Sequence, residues 1–172
     1  MTGTADITVL ATGGTIDKIY AVTGQLEIGP PAARWLLDTL TTDLRIEVRS
    51  ILAKDSLDIT SADRRTIADA LDDVETPSVV ITHGTDTLTD TAEYLRQHAA
   101  GTSRVIVLTG ALRPAAMIDS DAALNLGAAL MASQTLGAGV YVCMGGRVFP
   151  AGAVRKDAST GRFLTPPARG TR

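Results

Sequence analysis

The chain of 172 residues suits one domain with a short tail, and its 45% hydrophobic residues are enough for a sizeable core. Aromatic residues make up only 3%, so the core has to be built from Ala, Val, Leu and Ile, as is typical of a parallel sheet covered by helices on both faces. The net charge of −3, without a basic stripe, argues against nucleic-acid binding; no signal-peptide pattern or membrane-spanning apolar run is present, so we expect a cytoplasmic protein without membrane contacts.

Aliphatic runs alternate along the chain with amphipathic stretches. The pattern predicts strands at 6–11, 45–52, 78–82, 104–110 and 139–144, and helices at 30–40, 60–74, 87–100 and 119–134. Thr60 is expected to cap the second helix and Gly101 to end the third. Strands that alternate with helices are joined by crossovers and lie parallel, so we expect an α/β domain over residues 1–162 and a loose polar tail at 163–172.

A polar or glycine-rich turn follows each predicted strand. The five turns are Thr12-Gly13-Gly14-Thr15, Lys54-Asp55-Ser56, His83-Gly84-Thr85-Asp86, the stretch 109–114 and Gly145-Gly146-Arg147. In a parallel sheet the ligand crevice lies outside the carboxyl ends of the strands, where all of these turns come together. The sequence therefore predicts one polar cleft at this edge of the sheet.

The chemistry of that cleft is read from its glycines and threonines. Gly13 and Gly14 allow the backbone to approach a ligand closely, but the stretch matches neither the dinucleotide pattern nor the phosphate-binding loop with its lysine. Acyl transfer fits better, with the hydroxyl of Thr15 or Thr85 as nucleophile and backbone N–H groups holding the oxyanion. A threonine needs a base, and a buried lysine can serve.

Single residues also have simpler interpretations. His83 either exchanges protons in the cleft or pins its turn by hydrogen bonds. Asp86 alone is more often a helix N-cap, Lys54 is more often solvated, and Cys143 lies in an apolar run typical of a buried thiol. No His, Cys or carboxylate cluster has metal-ligand spacing, so we expect neither a metal nor another cofactor.

Six segments, taken together, identify a known family. The two longest, "VLATGGTI" (9–16) and "ITHGTDTLTDTA" (81–92), resemble the signature motifs of bacterial-type L-asparaginases. Four more resemble further motifs of the family in the same order: "KDSLDIT" (54–60), "LTGALRP" (108–114), "SDAALNL" (120–126) and "VRKDAST" (154–160). The resemblance implies the fold of the family's N-terminal domain, a three-layer, doubly wound, mainly parallel sheet of the flavodoxin-like kind.

The resemblance also implies an activity. It is that of an amidohydrolase that converts L-asparagine to L-aspartate and ammonia through a threonine-linked acyl-enzyme. Thr15 is the implied nucleophile, and Tyr20 on a mobile loop assists it. Thr85, Asp86 and Lys156 form the second catalytic group, in which Lys156 helps to move protons.

The implied substrate contacts come from the same motifs. Asp55 and Ser56 match the segment that grips the α-amino and α-carboxylate ends, and the backbone carbonyl of Ala111 meets the leaving amide. The full substrate-binding set is Gly14, Asp55, Ser56, Gly84, Thr85, Asp86 and Ala111. Asp121 and Asn125 look like structural members that cap and brace a helix.

The sequence departs from the family in length, because it ends where a second domain usually begins. We expect a short single-domain enzyme whose pocket is closed by the Tyr20 loop or by another subunit, in a homodimer or homotetramer. Alternatives are a sensor that binds asparagine or aspartate without turnover, a fragment that needs a partner chain, and a phosphate- or nucleotide-binding domain. Activity towards glutamine stays open.

Overall fold

The structure is a computed structural model that describes residues 5–167. In chain order, its strands are β1 (Ile7–Gly13), β2 (Lys18–Tyr20), β3 (Leu26–Ile28), β4 (Ile46–Lys54), β5 (Ser78–Thr82), β6 (Val105–Thr109), β7 (Gly139–Met144), β8 (Arg147–Pro150), β9 (Arg155–Lys156) and β10 (Phe163–Leu164). Its α-helices are α1 (Ala32–Leu37), α2 (Ser61–Asp72), α3 (Leu88–His98) and α4 (Ala122–Thr135).

Six of the strands form the central sheet, in the order β4-β1-β5-β6-β7-β8. The first five are parallel and β8 pairs antiparallel with β7 at the edge. Ala11, Thr82 and Thr109 are level with one another across β1, β5 and β6, so the carboxyl ends of these strands meet in one rim. The predicted doubly wound, mainly parallel sheet is confirmed.

The helices cover the sheet on both faces, because alternate residues of each buried strand point to opposite sides. In β5, Val79 and Ile81 pack with α2 and α3, whereas Val80 packs with α1 and α4. β1 is buried along its whole length. The domain has three layers, and its core is mainly aliphatic, as the scarcity of aromatic residues predicted.

All of the predicted strands and helices are present in the structure, but several begin or end at other residues than predicted. The strands at 78–82 and 139–144 have the predicted bounds, and Thr60 caps α2 with a full capping box that Asp63 completes. The helix predicted at 119–134 begins only at Ala122. The preceding carboxylate of Asp121 instead accepts hydrogen bonds from the backbone of the 112–113 loop, which competes with an earlier helix start.

Three short pairings were missed by the sequence analysis. The stretch after the first motif folds into an antiparallel hairpin of β2 and β3, and β8 adds the antiparallel edge strand. Phe163 and Leu164, which the sequence placed in the tail, pair with β9 instead, and Phe163 is buried in the core. The folded part therefore extends past the expected boundary at 162, while the end of the expected tail, 168–172, lies outside the described residues.

Candidate functional site

The turns after β1, β4 and β5 touch one another through glycines. A Cβ atom on Gly14 would lie 2.3 Å from the backbone nitrogen of Gly84, and one on Gly84 would lie 2.6 Å from the Cβ of Ser56. Gly14 also has a φ of +84°, which disfavours any other residue. Three of the five predicted turns thus meet at the rim with no room for a side chain between them.

The turn after β6 joins the same group through His83. A Cβ on Gly110 would lie 2.2 Å from the carbonyl oxygen of His83, and the His83 N–H donates to the Thr109 carbonyl at 2.8 Å. The sequence-based expectation that these turns converge on one rim is met for the four that follow β1, β4, β5 and β6.

The imidazole of His83 is fully buried and both ring nitrogens have partners. Nδ1 lies 2.8 Å from the Gly84 carbonyl, to which it donates, and Nε2 lies 3.0 Å from the Thr91 hydroxyl. Burial lowers the pKa of His83 to about 4, so the ring is neutral at pH 7. Of the two interpretations left open by the sequence, the geometry favours a histidine that pins its turn.

The amine of Lys156 lies between two side chains of the turn after β5. Its Nζ donates to Thr85 Oγ1 at 2.8 Å and to Asp86 Oδ1 at 2.5 Å. Thr85 is buried and the Asp86 side chain is half exposed, so the group is open on one side. Asp86 does not cap α3, whose N-cap position is Thr87 without a side-chain hydrogen bond. Residues 70 positions apart in the sequence are therefore brought together as the family motifs imply.

Ser56 links this group to the turn after β4. It is buried, its Oγ accepts the backbone N–H of Asp86 at 3.3 Å, and its carbonyl accepts the Thr87 hydroxyl at 2.7 Å. The side chain of Ser56 therefore lies at the junction of Gly84 and Asp86.

Thr15 and Tyr20 are placed differently from the Lys156 group. Thr15 starts a 3₁₀ turn (Thr15–Asp17) directly after Gly14 and is partly buried. Tyr20 lies in β2 of the hairpin, and 75% of its surface is exposed. The structure thus brings Thr15 to the rim through Gly14 but leaves the ring of Tyr20 in solvent.

Asp55 is already occupied by protein groups. Its Oδ2 lies 2.7 Å from Lys18 Nζ, and its Oδ1 accepts the Leu57 N–H at 3.2 Å. The hydrogen bond from Lys18 is the main cause that holds the pKa of Asp55 below its usual value. Lys18 lies three residues after Thr15 and was not singled out from the sequence.

Ala111 is fully buried beside a hydrogen-bonded brace. Asn125 Nδ2 donates to the Gly110 carbonyl at 3.0 Å and to Asp121 Oδ2 at 2.8 Å, and Asn125 Oδ1 accepts the Gly145 N–H at 3.0 Å. The bracing role expected of Asp121 and Asn125 agrees with these contacts. Asp121 also occupies the N-cap position of α4, but its side chain makes no capping hydrogen bond there. Its carboxylate holds the Ala111 loop instead, through the N–H groups of Leu112 and Arg113.

Asp17 is a second charged residue that the sequence analysis missed. It is only 3% exposed, and its Oδ1 accepts the Ala32 N–H at 2.7 Å. Burial raises its pKa to about 6, despite the hydrogen bonds from the backbone. No sequence signal separates it from a solvated loop aspartate, because its burial depends on the missed hairpin and on α1.

The described part of the chain contains neither a group of metal-ligating side chains nor a membrane-spanning helix. Between residues 5 and 167, no three His, Cys, Asp or Glu side chains are grouped so that they could hold a metal ion. None of the helices in that range is both long and apolar enough to cross a lipid bilayer.

Comparison with known proteins gives a consistent result. Residues 6–164 match the family described as Asparaginase, N-terminal. The chain is 33% identical over 169 residues to a probable periplasmic L-asparaginase of Haemophilus influenzae, covering 90% of this chain and 47% of that protein. It is 35% identical over 162 residues to the L-asparaginase of Thermococcus kodakarensis, covering 89% and 48% of the two chains.

Solved structures give the same picture. The thermostable L-asparaginase of Thermococcus kodakarensis superimposes with a TM-score of 0.85 at 32% identity, covering 92% of this chain and 50% of that one. A probable cytoplasmic L-asparaginase of Campylobacter jejuni gives a TM-score of 0.78 at 27% identity, covering 95% and 54%. The chain spans about half the length of the curated relatives it matches.

Proposed function

This chain belongs to the asparaginase family, whose N-terminal domain it matches over residues 6–164, and from that premise we propose that it hydrolyses L-asparagine to L-aspartate and ammonia. The observation that carries the proposal is the contact of Lys156 with Thr85 and Asp86 at the rim. A lysine, a hydroxyl and a carboxylate in direct contact provide a path for protons beside a candidate nucleophile.

The reaction is proposed to proceed in two steps. The Thr15 oxygen bonds to the side-chain amide carbon of asparagine, the carbon–nitrogen bond breaks, and the amide nitrogen takes a proton and leaves as ammonia. Water then attacks the carbonyl carbon of the resulting aspartyl ester, the bond between that carbon and the Thr15 oxygen breaks, and a proton from the water restores the Thr15 hydroxyl as aspartate is released. Splitting one difficult step into two easier ones is the usual gain of covalent catalysis.

The remaining groups are proposed to carry protons and stabilise charge. Lys156 moves protons between Thr85 and the reacting atoms, and Asp86 keeps the lysine oriented. Free backbone N–H groups in the turns that contain Gly14 and Gly84 stabilise the developing oxyanion; the Gly14 N–H itself is not among them, because it donates to the Lys54 carbonyl. Tyr20 has to move towards Thr15 to assist it, because its ring is exposed in the structure.

Substrate recognition is assigned to the turns around this group. Ser56 and Asp86 contact the α-carboxylate and α-ammonium groups, and the carbonyl of Ala111 accepts a hydrogen bond from the leaving amide. Asp55 lies at the same end, although Lys18 and Leu57 already occupy its carboxylate. Its role as a direct substrate ligand stays a prediction.

The test is ammonia release by the purified chain of 172 residues, with L-asparagine and L-glutamine compared at equal concentrations. Ammonia and aspartate in equal amounts from asparagine support the proposal. Aspartate binding without any ammonia release would replace it with the sensor function. Protection from unfolding by nucleotides but not by aspartate would indicate the nucleotide-binding alternative instead.

We also propose that the chain self-associates as a homodimer or homotetramer. Support comes from α4, where Leu124 is 65% exposed and Met131 is 61% exposed, and from Ile118 in the loop before α4, which is fully exposed. Light scattering is expected to give a dimer or tetramer mass, and Leu124→Lys is expected to lower it. Leu40→Lys, a change at a comparably exposed leucine in the loop after α1, serves as the control. A monomer with full activity would contradict this proposal.

The cellular compartment stays a sequence-based prediction of a cytoplasmic location. Among the relatives, one is named as periplasmic and another as cytoplasmic. Fractionation of the native host would decide between the two compartments.

A further inference from the structure

One ion pair connects the two turns that are expected to hold the nucleophile and the substrate. Lys18 Nζ lies 2.7 Å from Asp55 Oδ2, and the two side chains are 25% and 31% exposed. Lys18 follows β1 and Asp55 follows β4, the two neighbouring parallel strands at one side of the sheet. The bond therefore crosses the rim rather than lying within one element.

Lys18 is tied to Thr15 on its own side of the pair. Its backbone N–H donates to the Thr15 carbonyl and ends the 3₁₀ turn that Thr15 begins. Lys18 also pairs with Ile28 in the Tyr20 hairpin, which consists of β2, β3 and the loop between them. A displacement of Lys18 thus moves both the Thr15 turn and the strand that carries Tyr20.

Asp55 is tied to Ser56 on the other side. It occupies the N-cap position of the second 3₁₀ turn (Ser56–Asp58), and its Oδ1 accepts the Leu57 N–H. The carboxylate thus fixes the start of the Ser56 turn with one oxygen and Lys18 with the other. Both oxygens are used for protein contacts.

From these contacts we infer that Lys18 is a positioning residue for the proposed asparaginase reaction, which acts through Asp55 to hold the Thr15 turn and the Tyr20 hairpin against the Ser56 turn. The inference rests on the proposed function for its catalytic part. It also gives Asp55 a role that needs no contact with substrate. A misplacement of reacting groups by about 1 Å can lower a rate by about a hundredfold, so a modest loosening is enough to be measured.

A second ion pair provides a natural comparison. Arg45 and Asp6 precede β4 and β1, and they form a bond of 2.9 Å at the opposite end of the same two strands. Their side chains are more exposed, at 53% and 40%. Exposed ion pairs contribute little to stability, so loss of either pair is expected to change the melting temperature little. Only loss of the Lys18 pair is expected to change the site.

The structure also supplies a probe of the hairpin. Trp35 is the single tryptophan of the chain, and it lines the same small surface cavity as Lys18 and Ile19. Because 46% of its surface is exposed, quenching of its fluorescence by iodide reports how well the hairpin covers it. This measurement does not depend on enzymatic activity.

The experiment compares Lys18→Met, Lys18→Arg and Asp55→Asn with Arg45→Met in the full chain. Asparagine keeps an oxygen for the Leu57 N–H but removes the charge that binds Lys18. For Lys18→Met and Asp55→Asn we expect kcat to fall about tenfold or more, with increased quenching of Trp35. Lys18→Arg is expected to restore most of both values, and Arg45→Met is expected to leave both unchanged.

The double variant Lys18→Met/Asp55→Asn tests whether the two residues act as a unit. We expect it to be no slower than either single variant, since the same bond is lost in all three. Additive losses in the double variant would overturn the inference. So would an Asp55→Asn variant with a strongly raised KM and wild-type quenching of Trp35, because Asp55 would then be a direct substrate ligand.

Failure of the proposed function can be told apart from failure of this inference. Unchanged quenching of Trp35 in Lys18→Met overturns the inference whether or not the wild-type chain releases ammonia. Increased quenching in a chain whose wild type releases no ammonia would overturn the proposed function, while supporting the role of Lys18 in holding the hairpin.

Discussion

The two sides of the candidate site are held together by different means. On the β5 side, side chains bind one another directly, since Lys156 donates to both Thr85 and Asp86. On the β1 side, the Gly14 N–H donates to the Lys54 carbonyl at 2.8 Å and the partly exposed ion pair of Lys18 and Asp55 adds a second link, while Tyr20 is left in solvent. The proposed proton-moving group is therefore already assembled in the structure, whereas on the side of the proposed nucleophile the ring of Tyr20 stays in solvent.

This difference indicates where motion is required. A preformed group of hydrogen-bonded side chains needs little reorganisation during the reaction. A short exposed hairpin can change position at low cost, because it has few buried contacts. We therefore expect substitutions on either side to lower the turnover rate. Substrate affinity is expected to fall mainly when the Ser56 turn between the two sides is changed.

The largest effect is expected when each of the two candidate nucleophiles, Thr15 and Thr85, is replaced by alanine. Thr15→Ala is expected to lower kcat/KM for asparagine by at least about a thousandfold, because a lost covalent nucleophile cannot be replaced by its neighbours. Thr85→Ala should also be slow, but only Thr15→Ala should fail to form an ester that mass spectrometry detects after rapid acid quenching. An ester that forms on Thr85 would assign the nucleophile to the β5 side.

A somewhat smaller loss is expected when the proton path is cut. Lys156→Met removes the amine and leaves Thr85 and Asp86 without their donor, so turnover should fall by about 10²- to 10⁴-fold. Aspartate should still bind, as calorimetry can measure, because the Ser56 turn is unaffected. Arg155→Met, at the exposed neighbouring position, is the matched control and should keep near-native turnover. A fully active Lys156→Met would show that the contact with Thr85 has no catalytic role.

The rim could be predicted from the sequence because its parts are local. Each aliphatic strand is followed directly by its polar turn, and parallel strands place such turns together. Lys156 was found in another way: it lies after an irregular stretch, 70 positions from Asp86, and only the family motif pointed to it. Periodicity alone offers no route to a contact of that range.

Lys18 and Asp17 could not be predicted, for a related reason. Both lie in the hairpin region, where the sequence "DKIYAVTGQLEIG" shows no long alternating run, and strands of three residues give too weak a pattern. The partners of the two residues, Asp55 and the backbone of Ala32, lie on other elements. A charged residue in a short polar stretch is usually solvated, so its burial or pairing emerges only from the tertiary structure.

Binding can be separated from chemistry at Ser56, which contacts Gly84 and Asp86 on the β5 side. Its neighbour Asp55 binds Lys18 on the β1 side. Ser56→Ala is expected to raise KM for asparagine about 10- to 100-fold while kcat changes much less, since a hydrogen bond to a charged substrate group is lost. Steady-state kinetics give both constants. Ser159→Ala, whose hydroxyl contacts only the loop after β9, is a suitable control. If kcat fell and KM did not change, Ser56 would act in the reaction rather than in recognition.

The smallest expected effect is on the free energy of unfolding. It concerns the buried carboxyl group of Asp17, on the β1 side. Burial raises the pKa of Asp17 to about 6 in the folded protein, against the ordinary value of 3.8 for an aspartate side chain in water. The folded state therefore binds the proton more tightly than the unfolded state. Stability then decreases as the pH rises from about 4 to 6, because loss of the proton leaves a buried negative charge in the folded protein. Asp17→Asn keeps an oxygen for the Ala32 N–H and removes the charge. We expect the variant to gain about 1–3 kcal/mol in the free energy of unfolding at pH 8 and almost nothing at pH 4.

Urea unfolding of both proteins at several pH values measures this difference. His83 contributes the opposite slope, because its pKa of about 4 lies below the ordinary 6.5 and stability is lost as the pH falls through that range. That contribution is the same in both proteins, so it cancels in the comparison and leaves the effect of Asp17. Asp43→Asn, at an exposed position before β4, should show no such pH-dependent gain. A gain for Asp17→Asn that is equal at pH 4 and pH 8 would mean that the charge of the buried carboxylate is not the cause of the gain.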